Sequence, residues 1–169
     1  ETLLRDLELE VESESRTTLR SIFMGGGTPS LFSPEAISHL LAGIKDRFEI
    51  SKAEITLEAN PGTFDQEHFD GYHEAGVNRL SIGAQSFSAD VLIRLGRIHD
   101  PGEIELAYDG ARQAGFNRIN LDMMHGLPGQ TLENALNDLK RAIELEPEHI
   151  SWYQLTIEPN TRFYKYPPV

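Results

Sequence analysis

The sequence predicts an α/β fold whose parallel strands curl into a partly open barrel, and two observations predict it. Five short apolar runs alternate with helical stretches along the 169 residues, which is the order of successive βα units and a parallel sheet. Three of those runs also share one alternation. Ile55, Leu57 and Ala59 oppose Thr56, Glu58 and Asn60; Leu80, Ile82 and Ala84 oppose Ser81, Gly83 and Gln85; Ile119, Leu121 and Met123 oppose Asn120 and Asp122. A doubly wound sheet covered on both faces reads almost continuously apolar. An ordinary closed barrel fills its interior with branched apolar side chains. Here one face is polar, and buried polar groups need partners. The concave side must therefore line a ligand-filled or solvent-filled cavity.

The elements follow in order. Leu3, Leu4 and Leu7 predict a helix over about residues 1–14, frayed by Ser13 and Ser15. Leu19–Met24 is the first strand, expected at an edge of the sheet, and it runs into Gly25-Gly26-Gly27-Thr28-Pro29. Ser33-Pro34-Glu35 opens a helix, with Ser as N-cap and Pro at the first position. Ile37, Leu40, Leu41, Ile44 and Phe48 form its apolar stripe. Glu54–Asn60 is a strand ended by Pro61-Gly62. Thr63 with Gln66 reads as a capping box for a helix presenting Phe64, Phe69, Tyr72 and Ala75, with Gly76 as its C-cap. Arg79–Gln85 is a strand. A short helix spans Ser88 to Leu95, and a longer one is capped by Asp100 and Glu103 and ends at Gly115. Asn117–Met123 is a strand, followed by a loop with Gly126, Pro128 and Gly129. Thr131 caps the next helix, with Leu132, Leu136, Leu139 and Ile143 expected inward, and Ile150–Ile157 is the last strand. Ala75–Gly83 and Ala114–Asp122 repeat one pattern of helix end, glycine cap and strand start.

Length and composition bound the function. At 169 residues this is one domain's worth of chain, enough to bury about 70 % of its unfolded surface. With 39 % apolar and 25 % charged residues it has the balance of a globular protein. A formal charge of −12 argues against a nucleic-acid or anionic-membrane surface. The acids at Glu1, Asp6, Glu8, Glu10, Glu12 and Glu14 read as a solvated helix face. No apolar run reaches the length of a membrane span and no signal peptide opens the sequence, so a cytoplasmic location is expected. There are no cysteines, so no disulfide and no thiolate-held zinc or iron–sulfur site can be built from this chain. It opens without an initiator Met, inside a helix, and is expected to be a piece of a larger protein.

The polar rim carries the chemistry. Glu58, Gln85 and Asp122 each stand near the carboxyl end of their strand, level with the glycine turn, where βα folds bind ligands. The turn alone is either a permissive strand-to-loop connection or a ligand cradle. Two acids and the carbonyls of a glycine turn suit a cation, or a molecule rich in ammonium and hydroxyl donors, better than a phosphate. A P-loop would need Lys-Ser/Thr where Thr28-Pro29 stands, and a dinucleotide fingerprint would open a helix directly. His68 and His73 share no helix face, so no metal site is expected of them, and both read as solvated. His125 reads as a loop residue on the ligand side, and Trp152 and Tyr153 as strand packing.

The motifs FMGGGTP (Phe23–Pro29), LEANPGT (Leu57–Thr63), SIGAQSF (Ser81–Phe87), LGRIH (Leu95–His99), LDMMHGLPGQ (Leu121–Gln130) and SWYQLTIEPN (Ser151–Asn160) resemble a known family. They match, in order, the radical S-adenosylmethionine (SAM) proteins related to oxygen-independent coproporphyrinogen III oxidase. The resemblance runs from about Ser21 onward. Within the family, Ala59-Asn60 replaces the oxidase's Val-Asp and His125 replaces its Tyr, which favours the heme chaperone branch.

The resemblance implies a partial (β/α)6 TIM-like barrel with about five parallel strands present and the first strand missing. Residues 1–169 would be the central part of the SAM core. The 4Fe-4S motif would lie before Glu1, and the C-terminal domain with its heme-associated histidine beyond Val169. It further implies that Gly26, Gly27 and Thr28 contact SAM, that Glu58, Gln85 and Asp122 bind it, and that Arg97 holds its methionyl carboxylate. Thr156 would make a backbone contact to the adenine. The implied function is heme binding and transfer to heme-accepting proteins, with the oxidase reaction on coproporphyrinogen III as the alternative. This segment would not cleave SAM alone, having no cluster.

Overall fold

The computed structural model describes residues 1–10 and 17–167. Five parallel strands form a curled half-barrel in the order β1-β2-β3-β4-β5. They are β1 (Ser21–Met24), β2 (Glu54–Ala59), β3 (Arg79–Gln85), β4 (Ile119–His125) and β5 (His149–Gln154). The helices are α1 (Thr2–Glu10), α2 (Pro34–Arg47), α3 (Gln66–Glu74), α4 (Ala89–Leu95), α5 (Pro101–Gln113), α6 (Leu132–Glu144) and α7 (Arg162–Lys165). Strand order follows chain order, so each connection moves one step along the sheet. β1 is an edge strand, as expected. Of the helix expected over 1–14, the last four residues lie outside the described residues.

The alternation read from the sequence sets the two faces. Leu57, Leu80, Ile82, Ala84, Ile119, Leu121 and Met123 are fully buried on the convex side, and Phe69, Tyr72, Ile104, Ala111 and Phe116 pack into the same core. Thr56, Ser81, Gln85 and Asn120 lie buried on the concave side. Local signals act as expected at most helix starts. Ser33 accepts the Ala36 N–H at α2, Asp100 and Glu103 form a reciprocal capping box at α5, and Thr131 does so with Asn134 at α6.

β1 begins at Ser21 rather than Leu19, and four larger departures from the sequence reading stand out among the elements. Asp65, not Thr63, caps α3, accepting the His68 N–H at 3.0 Å. Thr63 sits instead in a short 3-10 turn (Pro61–Thr63), its hydroxyl donating to Asn60 O at 3.0 Å. β4 begins two residues later than expected and continues to His125, and β5 ends at Gln154. A short α7 follows that the sequence did not announce.

The fourth departure is in α6. Its apolar stripe faces mostly outward: Leu132, Leu136 and Ile143 are exposed and Leu139 is half-buried, while Ala135, Asp138 and Ala142 are buried. Small residues let the helix approach β4 closely, and the buried carboxylate serves a purpose described below.

α3 also braces the glycine turn. The buried Tyr72 hydroxyl lies 3.0 Å from Ser30 O and 2.5 Å from Phe32 O. Burial, then the charge of Asp65, pushes its phenol up to about 12, so it stays a neutral donor.

Candidate functional site

The carboxyl ends of β1 to β5 and the loops after them enclose a cleft of about 260 Å³. It is lined by Gly27, Thr28, Glu58, Asn60, Ser81, Gln85, Arg97, Asp122 and Tyr153, among others. Six of the seven sequence-predicted site residues therefore meet in one cavity. The seventh, Gly26, joins it through a hydrogen bond: its N–H donates to Glu58 Oε2 at 3.1 Å. Thr156 lies past β5, outside that lining.

The glycine turn is shaped by close approach and handedness. Gly26 and Gly27 hold φ of 82° and 62°, left-handed values that favour glycine. A Cβ on Gly25 would come within 3.0 Å of the Glu58 carboxylate and 2.9 Å of the Phe23 ring. So the turn can lie against Glu58 only without side chains. Beyond it, buried Ser30 accepts from the Asn60 N–H at 3.4 Å and meets the Thr63 hydroxyl at 3.3 Å, tying the turn to the exit of β2.

Gln85 ends β3 in an unusual conformation. Its φ is 60°, it sits at a register irregularity against β4, and its side chain is 4 % exposed. Among the described residues its Oε1 has no hydrogen-bond partner. A buried acceptor left unsatisfied costs ~1–3 kcal/mol, so an acceptor aimed into a cleft fits a donor arriving with a ligand. The backbone beyond it is anchored twice. Asp138 of α6 accepts from Ser86 Oγ at 2.7 Å and from the Phe87 N–H at 2.8 Å. His99 Nε2 lies 3.3 Å from Ala84 O, which fixes the segment carrying Arg97 against the end of β3.

Asp122 projects from β4 and accepts from Ser81 Oγ at 2.7 Å and Asn120 Nδ2 at 2.9 Å. Tyr153 stands across the cleft, its phenol raised by burial and then by the charge of Asp122, with a smaller push from Glu58, against Arg97 and a hydrogen bond with the Gln85 side chain. The cleft thus offers two carboxylates, one amide acceptor and one neutral phenol. Arg97 is the only cationic side chain lining it among the described residues. Such a set holds ammonium and hydroxyl donors and a single carboxylate. A phosphate would face two like charges.

Other expectations change. His125 is the last residue of β4 rather than a loop residue, and its ring meets Trp152 edge-on at 5.0 Å. Trp152 and Tyr153 are 39 % and 43 % exposed, so neither is a core residue. His73 is exposed, as expected, and meets Phe116 edge-on, whereas His68 is half-buried and lies 3.2 Å from the Tyr72 hydroxyl. Sequence reasoning left Asp138 unmentioned and carried His99 only as the last residue of LGRIH, assigning a role to neither. A polar residue on the small-residue face of α6 was the available signal for the first.

His99 gives a pH prediction. Burial lowers its pKa below the usual 6.5, outweighing the pull of the Ala84 carbonyl. The folded value lies below the unfolded one, so the unfolded chain binds the extra proton first. Its stabilisation is whole above pH 6.5 and is lost as pH falls through the folded value. Thermal melts of wild type and His99→Gln between pH 7.5 and 5 should show the acid slope reduced in the variant. Parallel slopes would sink this assignment.

Comparison with known proteins accords with this geometry. The Radical SAM superfamily family model matches residues 2–142. The chain is 56 % identical to the heme chaperone HemW of Haemophilus influenzae, over 98 % of this chain and 45 % of that protein. It is 55 % identical to the HemW of Escherichia coli, over 99 % of this chain and 44 % of that protein. It thus spans under half the length of these relatives. Among solved structures, the Escherichia coli coproporphyrinogen III oxidase HemN, described as a radical SAM enzyme, superposes with a TM-score of 0.75 at 33 % identity. That match covers 83 % of this chain and 32 % of HemN. With its half-barrel, its acceptor-rich cleft and a family match over most of its length, the chain belongs to the radical SAM superfamily.

Proposed function

We propose that this chain is the central, SAM-binding part of the radical SAM core of a HemW-like heme chaperone, which binds heme and passes it to heme-accepting proteins. The observation that carries the reading is the 56 % identity to HemW along nearly the whole chain, joined to a cleft whose donor and acceptor set suits SAM. Gly26, Gly27 and Thr28 would hold the methionyl end, with Glu58 on its ammonium side and Arg97 on its carboxylate. Gln85 and Asp122 would accept from the remaining ammonium or hydroxyl donors. The unpartnered Gln85 Oε1 and the side-chain-free turn against Glu58 support that fit. When bound, SAM supplies one-electron radical chemistry.

A 4Fe-4S cluster, which the family also implies, does not fit within this chain, because the chain has no cysteine to ligate it. Its ligands would come from a segment preceding Glu1, as the C-terminal heme-associated domain would follow Val169. No helix among the described residues is long and apolar enough to cross a membrane, and we place the protein's work in the cytoplasm. The second reading, an oxygen-independent coproporphyrinogen III oxidase, is favoured by the match to HemN.

The test uses the full-length, cluster-reconstituted protein. Calorimetry with SAM and absorbance titration with heme should both show binding, with no turnover of coproporphyrinogen III under anaerobic reduction. Turnover would establish the oxidase instead. Absence of SAM binding would overturn both.

A further inference from the structure

Asp122 is not a free carboxylate on a cleft wall. Beneath it runs a hydrogen-bonded chain that crosses three strands, and the directions of its bonds follow by elimination. A carboxylate can only accept, so Ser81 Oγ donates to Asp122 Oδ2 at 2.7 Å and Asn120 Nδ2 donates to Oδ1 at 2.9 Å. The second Nδ2 hydrogen goes to Ser81 Oγ at 2.7 Å. Both amide hydrogens of Asn120 are then committed, and its Oδ1 must accept. It does so from Ser151 Oγ at 3.1 Å and from His149 Nδ1 at 2.5 Å, both on β5.

Ser81 and Asn120 are 3 % and 1 % exposed, so the bond between them is shielded from water. Every donor in the chain points toward Asp122. Each of its oxygens is gripped once from below, which leaves the remaining lone pairs to face the cleft.

We propose that Ser81 and Asn120 are positioning residues that hold Asp122 as a fixed acceptor for a hydroxyl or ammonium donor of the ligand, with Ser151 and His149 locking the amide of Asn120. The ligand's identity rests on the SAM reading above. The clamp itself does not. A carboxylate fixed before binding loses little side-chain entropy when the donor arrives, which favours affinity. The polar face of β3 and β4 is then a built support rather than a wetted surface.

A double-mutant cycle separates positioning from packing. SAM affinity would be measured by calorimetry on the full-length protein as wild type, Ser81→Ala, Asp122→Asn and the double variant. Ser81→Ala should weaken SAM about tenfold, the loss of one bond to a charged group. In the Asp122→Asn background it should cost nothing further. Wild-type affinity in Ser81→Ala, or a tenfold loss repeated in full on Asp122→Asn, would overturn the proposal.

If the wild type binds no SAM, the cofactor reading fails, and the clamp is read from the ligand-free protein by NMR. The side-chain amide protons of Asn120 should then exchange slowly with solvent and be released by Asp122→Ala. Exchange in the wild type as fast as that of a free asparagine amide would overturn the clamp independently of any ligand.

Discussion

Replacing Asp138 by alanine should destabilise the protein by about 3 kcal/mol, a fall in melting temperature of about 6–12 °C for a chain of this size. The residue is 5 % exposed on the inner face of α6 and accepts from Ser86 Oγ, the Phe87 N–H and, at 3.3 Å, Gln130 Nε2. Among the described residues no cation pairs with it, and the carboxylate is held by hydrogen bonds. Alanine leaves those donors facing a void, and buried donors without acceptors account for most of the cost. Asparagine should fall between, because its Nδ2 must turn against at least one of the same donors.

The effect should also reach the site. Asp138 holds the loop that leaves Gln85, and Gln85 needs that loop to keep its left-handed backbone. SAM affinity should therefore fall with stability. Ile104→Ala, a core truncation of similar ~2–5 kcal/mol cost, should leave affinity unchanged at temperatures where both variants remain folded. An Asp138→Ala melt within 2 °C of wild type, or equal SAM affinity in all three proteins, would refute this role.

Asp138 also marks where sequence reasoning stops. The spacing of Leu132, Leu136, Leu139 and Ile143 identifies an apolar stripe correctly, since periodicity reports which residues share a helix face. It does not report which neighbour covers that face. α6 instead turns Ala135, Asp138 and Ala142 toward the sheet, because small side chains permit close approach and the acid satisfies a loop 52 residues away. Thr63 fails for a related reason. Its spacing to Gln66 fits a capping box, but Pro61 and Gly62 form a turn first and pass the cap to Asp65.

The strands were more legible. Period-two alternation fixes which side is apolar, and one polar side on three adjacent strands requires a concave, ligand-facing wall. Glu58 and Asp122 could be placed on that wall from register alone. The positive φ of Gln85 and the chain from His149 to Asp122 could not, because each depends on how two or more strands pair. Arg97 lies in a loop, where no periodicity operates, and only its motif singled it out.

Arg97 should accordingly show the sharpest dependence on ligand chemistry. Its guanidinium is exposed, so Arg97→Ala should leave the melting temperature nearly unchanged. In the cleft, however, it is the one cationic side chain among the described residues that shares the lining with Glu58 and Asp122. A ligand bearing a carboxylate meets two like charges there, and Arg97 supplies the opposing charge and a two-pronged donor. Removing it should weaken SAM about a hundredfold, near the upper range for a charge-assisted pair. Arg97→Lys should recover only part of that, since an ammonium keeps the charge and loses the fork. Wild-type affinity should also weaken with added salt more than that of Arg97→Ala. The decisive comparison is decarboxylated SAM, which keeps the sulfonium, the amine and the nucleoside but presents no carboxylate. It should bind wild type and Arg97→Ala alike. If the substitution weakens both ligands equally, Arg97 does not read the carboxylate, and its contribution lies in holding the loop between α4 and α5.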